Sequence, residues 1–285
     1  MPSFRSLTST FYNPSRALLS SVPTPHSSIT AQVTALAKQH HIQFNSSLGQ
    51  LRNMSSAMSK RLEGKTVLIT GASSGIGKST ALEFARTSPK SLKLILTARR
   101  MDALKSLAEQ IKSEVGEGVQ CLPAQVDMSK PSEIVSFVSN LPAEFKDIDV
   151  LVNNAGMVKG VAKSPEIDPE DINVMFATNV TGLITMTQEV MKGMTKRGES
   201  GQGDIINIGS IAGREGYPGG SIYCATKAAV RTFTDALRKE LIATRIRVIE
   251  IDPGQVETVS CSVLMPHAQL CFLLLLLLRV EQWLT

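Results

Sequence analysis

The first 62 residues of this 285-residue chain contain no aspartate and no glutamate, yet they carry Arg5, Arg16, Lys38, Arg52, Lys60 and Arg61. From Glu63 onward, 24 basic residues stand against 25 acidic ones, so the formal charge of +5 belongs to the leader and the body is neutral. A neutral body argues against a nucleic-acid partner, which needs a basic surface. Cysteine is scarce: Cys121, Cys224, Cys261 and Cys271 show no paired spacing and no histidines in metal-ligand register. We expect neither a disulfide framework nor a metal site, and a reducing compartment. No internal repeat is present. The apolar run at residues 270–278 is nine residues long and is followed by Arg279 and Glu281. A bilayer span needs about 20 apolar residues, so no membrane partner is expected. What the chain does have is 42% hydrophobic residues, ample for a buried core.

Residues 1–60 are rich in serine and threonine, contain Pro14, Pro23 and Pro25, and show no sustained period. Basic, serine-rich and acid-free is the composition of a mitochondrial transit peptide. The other reading is an over-long start, with translation beginning at Met54 or Met58. The expected location is cytoplasmic on the second reading and mitochondrial on the first. On both, the segment lies outside the fold.

From Arg61 the pattern alternates. Residues 66–70 form a short apolar run that ends in a glycine turn, which reads as a buried strand. A helix over 75–87 follows, then a strand over 92–97. Residues 101–115 place Leu104, Leu107, Ile111 and Val115 at spacings of three and four, the stripe of an amphipathic helix. Strands are expected at 119–126, 148–152, 204–208 and 246–251, and helices at 168–194 and 221–242. This alternation predicts an α/β fold, a doubly wound parallel sheet of the Rossmann kind covered on both faces, over residues 61–258.

Thr70-Gly71-Ala72-Ser73-Ser74-Gly75-Ile76-Gly77 sits between a strand and a helix. Gly71 permits the tight turn, Gly75 lets backbone approach a pyrophosphate, and Gly77 lets the helix pack close to the strand. Phosphates would then meet the free N–H groups at the helix start. Gly71, Ser73, Ser74, Gly75, Ile76 and Gly77 are therefore candidate cofactor-binding residues. Where an adenosine ribose would lie, at the end of the second strand, the chain reads Thr97-Ala98-Arg99-Arg100. Two guanidiniums suit a 2′-phosphate and offer nothing to a 2′-hydroxyl, so NADP is expected over NAD. A solvated charge pair at a strand end, with Asp102 nearby, is the alternative.

Tyr223 and Lys227 lie at i and i+4 on one face of a predicted helix. A phenol has an ordinary pKa of about 10, and a neighbouring ammonium favours the phenolate, as a proton shuttle near neutrality requires. Alone, this spacing also fits an ordinary surface helix pair. Ser210 ends the fifth strand, thirteen residues before Tyr223; Asn153-Asn154-Ala155-Gly156 follows the fourth, and Pro253-Gly254 the sixth. These strand-end motifs lie at carboxyl ends of strands, where open α/β sheets bind ligands. Together with Asn179 in Thr178-Asn179-Val180-Thr181, they closely resemble the short-chain dehydrogenase/reductase family over residues 62–258.

The resemblance implies roles. Tyr223 exchanges the carbinol proton, and Lys227 lowers its pKa and holds the nicotinamide ribose. Ser210 hydrogen-bonds the substrate oxygen, and Asn179 holds a water linking Lys227 to solvent. Asp127 contacts adenine, Asn154 lies against the adenosine ribose, and Pro253, Gly254 and Val256 border the nicotinamide. A helix-interior asparagine satisfied by backbone is the other reading of Asn179. The runs 65–70, 144–149, 210–214 and 237–241 look like the NADP-dependent 3-hydroxy acid dehydrogenases of fungi and bacteria, which oxidise serine and allo-threonine. The expected partner is then a small-molecule substrate, with a homo-oligomer (dimer or tetramer) implied by the family. Arg214 either meets a substrate carboxylate or is a solvated loop arginine.

The chain departs from the family after Thr258. Six strands are present and a seventh, with the lid over the substrate, is expected to be missing. Val259-Ser260 is how the common intron start GTAAGT reads in this frame, so residues 259–285 are read as a translated intron or a misassigned exon end, a hydrophobic tail foreign to the family. The rival to an active oxidoreductase is a truncated, non-catalytic product that binds nucleotide weakly or fails to fold.

Overall fold

The computed structural model describes residues 59–256, apart from Val161 and Gln255. The readings made above of the leader, the foreign tail and the missing seventh strand lie outside the described residues.

Six strands form one sheet: β1 (Lys65–Thr70), β2 (Leu92–Ala98), β3 (Val119–Gln125), β4 (Val150–Asn153), β5 (Gln202–Ile208) and β6 (Arg245–Ile251). Their order is β3-β2-β1-β4-β5-β6, every pairing parallel. The helices are α1 (Gly75–Thr87), α2 (Met101–Val115), α3 (Pro131–Ser139), α4 (Pro169–Phe176), α5 (Leu183–Met194) and α6 (Ser221–Glu240). This is the doubly wound Rossmann arrangement the alternation predicts.

The alternating strand residues show why. Val67 and Ile69 of β1, with Leu94 and Leu96 of β2, join one apolar layer under Ala81 of α1 and Leu104, Leu107 and Ile111 of α2. Leu68, Ile95 and Ile205 point the other way, against Ile134 of α3, Met186 and Val190 of α5 and Leu237 of α6. A central parallel strand must be apolar on both faces, so it reads as a continuous run rather than an alternation. Strands are added to one side of β1 up to β3 and to the other side from β4 onward, and a crevice opens at the carboxyl ends of β1 and β4, the switch point at which such sheets take ligands.

Two elements differ from the sequence reading. The helix expected over 168–194 is three pieces: α4, one π-helical turn at Ala177–Gly182, and α5. At Gly182 a side chain would run into the carbonyl of Met128, so the strand-end loop presses directly on this turn. Helix α3 was not anticipated. It buries only Ile134, too little for an apolar stripe, although Pro131 at its first turn is a start signal.

Candidate active site

The floor of the crevice is a lock between two turns. The Thr70 hydroxyl accepts hydrogen bonds from the backbone N–H groups of Asn154 and Ala155, each at 3.0 Å. In return the Asn154 amide donates to the carbonyl of Thr70 at 2.9 Å and of Gly71 at 3.3 Å. Gly71 has φ +67°, and a Cβ there would lie 2.9 Å from the Cα of Ala155. A Cβ on Gly77 would lie 2.5 Å from the Gly71 carbonyl oxygen and press on the Asn154 amide. These glycines let α1 begin flush against the turns after β1 and β4. Ser74, the residue before α1, makes no side-chain cap bond, so the first amides of the helix are left as donors for an anionic ligand.

The resulting cleft has a volume of ≈ 1240 Å³. Gly71, Ser73, Ser74, Gly75 and Ile76 line its floor, whereas Gly77 is buried behind it, packing the helix rather than facing the space. Arg99 and Arg100 line one wall and are exposed; the Arg100 guanidinium donates to the Ser73 hydroxyl at 3.2 Å. Asp127, beside them, accepts from the backbone and the hydroxyl of Ser129, at 3.0 and 2.8 Å. Partial burial pulls its pKa upward, but those two bonds, with Lys130 and Arg99, outweigh it and keep the carboxyl ionised. Asn154, Pro253, Gly254 and Val256 also face the cleft.

Ser210, Tyr223 and Lys227 line the far end together. Ser210 opens the short 3₁₀ turn Ile211–Gly213, its hydroxyl accepting from the Ala212 N–H at 3.1 Å. Tyr223 and Lys227 share a face of α6, with the Lys227 Nζ 5.8 Å from the ring centroid. Lys227 is 6% exposed, and its ammonium donates to the Ile208 carbonyl at 2.8 Å. Burial pushes its pKa down to about 8, against the pull of Asp252 and Glu250. Tyr223 departs from the expectation of a lowered phenol. Burial raises its pKa, and the Ser210 hydroxyl beside it only partly offsets this. The Tyr223 phenol is thus protonated at neutral pH, and Lys227 carries its charge.

Asn179 sits in the π-helical turn and is 1% exposed. Its side chain accepts from the Met157 N–H at 2.8 Å and donates to the Met157 carbonyl at 2.9 Å and to the Thr226 hydroxyl at 3.1 Å. It thereby ties the loop after β4 to α6, one residue before Lys227. Its carbonyl oxygen and the Lys227 Nζ lie at the same 3.5 Å from the point where a Gly156 side chain would begin, so the two converge there. Arg214 faces elsewhere. Its guanidinium binds Asp252 at 2.6 and 2.7 Å and does not line the cleft, so it is not placed to meet a substrate carboxylate.

Sequence reasoning missed the wall at the catalytic end, formed by Met157, Val158, Ile211, Glu215 and Tyr217. Val158, Ile211 and Tyr217 are exposed large apolar residues. They come from two loops more than fifty residues apart, and no local spacing marks them. Their neighbourhood to Ser210 was the only signal. Among the described residues there is no cluster of three or more metal-ligating side chains, and no helix is long and apolar enough to cross a membrane.

A family model of short chain dehydrogenases matches residues 65–266. The NADP-dependent 3-hydroxy acid dehydrogenase of Schizosaccharomyces pombe is 50% identical over 198 residues, covering 70% of this chain and 74% of that protein. A serine 3-dehydrogenase of Rhizobium radiobacter is 37% identical over 193 residues, covering 68% of this chain and 72% of that protein. Among solved structures, the closed form of serine dehydrogenase complexed with NADP+ superposes with a TM-score of 0.60 at 41% identity, covering 68% of this chain and 73% of that one.

Proposed function

Because the chain belongs to the short-chain dehydrogenase/reductase family, and so to the oxidoreductases, we propose that it is an NADP-dependent enzyme interconverting a hydroxyl and a carbonyl by hydride transfer on small 3-hydroxy acids such as serine or allo-threonine. The observation that carries this reading is one cleft with phosphate-binding features at one end and Ser210, Tyr223 and Lys227 at the other. The donor set fits the cofactor. Gly71 sits where a side chain would collide with the neighbouring turn, the first amides of α1 are uncapped, and two arginines stand beside Ser73.

In this reading the α1 amides, with Ser73 and Ser74, hold the pyrophosphate, and Arg99 and Arg100 hold the 2′-phosphate. Asp127 and Asn154 border the adenosine, and Pro253, Gly254 and Val256 the nicotinamide. The bound dinucleotide supplies or accepts the hydride. Ser210 donates to the substrate oxygen, and Tyr223 takes the carbinol proton in oxidation or returns it in reduction. In this reading Lys227 must stay charged, because its ammonium, 5.8 Å from the Tyr223 ring centroid, supplies a field that favours the phenolate. Asn179 acts by holding Met157 and Thr226 in place around that ammonium. In the same reading the protein works as a homo-oligomer, in the cytoplasm or, where residues 1–53 are a transit peptide, in the mitochondrion.

The test uses the full chain with NADP+ and, in turn, serine, allo-threonine and 3-hydroxypropanoate, following reduced nicotinamide by absorbance, beside thermal melts with NADPH and NADH. Turnover of a 3-hydroxy acid with NADP+ and not NAD+ is expected. Ligand at about 100 times its dissociation constant should add roughly 2.7 kcal/mol to the folded state. Stabilisation by NADPH without turnover of any hydroxy acid refutes the substrate assignment and leaves a nucleotide-binding product. No stabilisation by either nucleotide refutes both.

A further inference from the structure

Below the catalytic end lie two carboxyl groups that the reaction does not use. Glu250 and Asp252 sit two apart on and just after β6, so their side chains share a face. Both aim at the backbone of Gly209. A Cβ on Gly209 would overlap the Asp252 Oδ1 and lie 3.1 Å from the Glu250 Oε1. Glycine before Ser210 is thus demanded by the space these acids occupy. Those same two oxygens are buried and have no hydrogen-bond donor among the described residues. The other Asp252 oxygen, Oδ2, is held by Arg214. Two ionised carboxylates facing each other without a donor would repel at close range, whereas a single proton between them converts the clash into a hydrogen bond.

We propose that Glu250 and Asp252 form a carboxyl–carboxylate pair sharing one proton at neutral pH, with Glu250 as the protonated member, and that this singly charged pair, packed on Gly209 between the Ile208 carbonyl that takes the Lys227 ammonium and Ser210, supports the charge on Lys227 and seats Ser210. The inference deepens the reading of Lys227 as the charged partner of Tyr223 and rests on it. Arg214 selects the member that stays ionised, because its guanidinium binds Asp252 and not Glu250. Burial and the neighbouring Asp252 both push the Glu250 carboxyl upward, while Arg214 and Arg238 from α6 pull it down by less. Of the two acids, Asp252, the member that stays ionised, favours charge on Lys227 more. The backbone between and just after the two acids grips the residues flanking Ser210: the Gly209 N–H donates to the Ile251 carbonyl at 2.8 Å, and the Ile211 N–H to the Pro253 carbonyl at 3.0 Å. Glu250 and Asp252 are positioning residues, acting through Lys227 and Ser210.

Two measurements on the full chain test this, and neither needs turnover. Infrared spectra near neutral pH should show a protonated carboxyl C=O band that disappears in Glu250→Gln; a spectrum without the band, or one unchanged by the substitution, overturns the pair. NMR of protein labelled at lysine Cε then follows the Lys227 titration. Glu250→Gln replaces a neutral acid with a neutral amide and should leave the midpoint where it is. Asp252→Asn removes the charge and frees Arg214, so the midpoint should fall by about one pH unit. Equal shifts in both variants mean that Glu250 is ionised, and no shift in either means that the pair does not reach Lys227; each overturns the proposal. If Asp252→Asn fails to fold, the infrared band and the Glu250→Gln titration still decide. A catalytically silent enzyme with the band present refutes the hydroxy-acid reading and leaves the pair standing.

Discussion

Replacing Lys227 by methionine should stabilise the fold in a pH-dependent way while removing activity. The ammonium is buried with one hydrogen bond, to the Ile208 carbonyl, and its pKa falls from the ordinary 10.5 to about 8. A base whose folded pKa is depressed binds fewer protons folded than unfolded between those two values. Stability therefore rises as the pH climbs from about 8 toward 10.5, and the full cost is present below the folded pKa. At about 1.4 kcal/mol per pKa unit, the burial costs about 3 kcal/mol near neutrality. Methionine fills most of the same volume without the charge, but it strips the Ile208 carbonyl of its donor, which costs about 1–3 kcal/mol at every pH. The absolute gain near pH 7 is therefore modest, whereas the pH dependence is free of that offset. Urea unfolding of both proteins should show the advantage of Lys227→Met shrinking by about 2 kcal/mol between about pH 7 and about pH 9.5. Parallel stability curves for the two proteins would refute the claim that the native state holds this ammonium at a depressed pKa.

Removing both guanidiniums, as Arg99→Ala with Arg100→Ala, should weaken NADPH binding and spare NADH. Each charge-assisted bond to a phosphate is worth about 1.5–3 kcal/mol, or roughly 10- to 150-fold, and because both arginines are exposed the loss should shrink as salt rises. Equal losses for the two nucleotides in a titration calorimeter would show that the arginines do not read the 2′-phosphate. Gly77→Ala should lower stability by about 1–3 kcal/mol and weaken nucleotide binding, although Gly77 does not face the cleft, because the new methyl meets the Gly71 carbonyl and the Asn154 amide. Wild-type stability and nucleotide affinity in that variant would show that the turn can relax. Tyr223→Phe should leave NADPH binding intact and reduce kcat by about 10²–10⁴, the usual contribution of a positioned acid–base group. A kcat within a factor of a few of the wild type would move the proton transfer to another residue.

The parts of this protein legible in its sequence are those whose pattern is local. The runs of β1 and β2 are buried on both faces and short, and α2 carries Leu104, Leu107 and Ile111 at helical spacing; all three elements appear within about a residue of their expected ends. The glycine turn and the Tyr223–Lys227 pair are also local, one a run of eight residues and the other a single helical turn. Helix α3 was missed because one buried residue makes no period, and the π-helical turn was missed because nothing in the residues 177–182 distinguishes it from ordinary helix. The lowered phenol expected from Lys227 was a local inference too. It failed because desolvation depends on what the rest of the chain packs over the ring, which spacing along one helix cannot report.

The groups that position the chemistry are non-local: the family resemblance singles out Asn154 and Asn179, but not the partners they close on. Asn154 closes on Gly71 across 83 residues, Asn179 reaches Thr226 across 47, and Arg214 reaches Asp252 across 38. In the core below them Asn153 donates to Thr187 and Asn207, and Asn207 to Thr234, so one buried polar chain joins α5, β4, β5 and α6. Asn153, Thr187, Asn207, Thr226 and Thr234, read alone, are polar residues with no assigned task. Assembled, they hold the two catalytic supports, the π-helical turn and α6, against the same pair of strands. Such a buried network specifies one arrangement because the alternatives leave more polar groups unpaired, although the Asn153 side-chain oxygen itself has no partner among the described residues. The division follows from the fold: reactive groups can sit one helical turn apart because they must meet the same small substrate. The groups that keep them there must span different elements, since an element cannot be fixed in place by residues of its own.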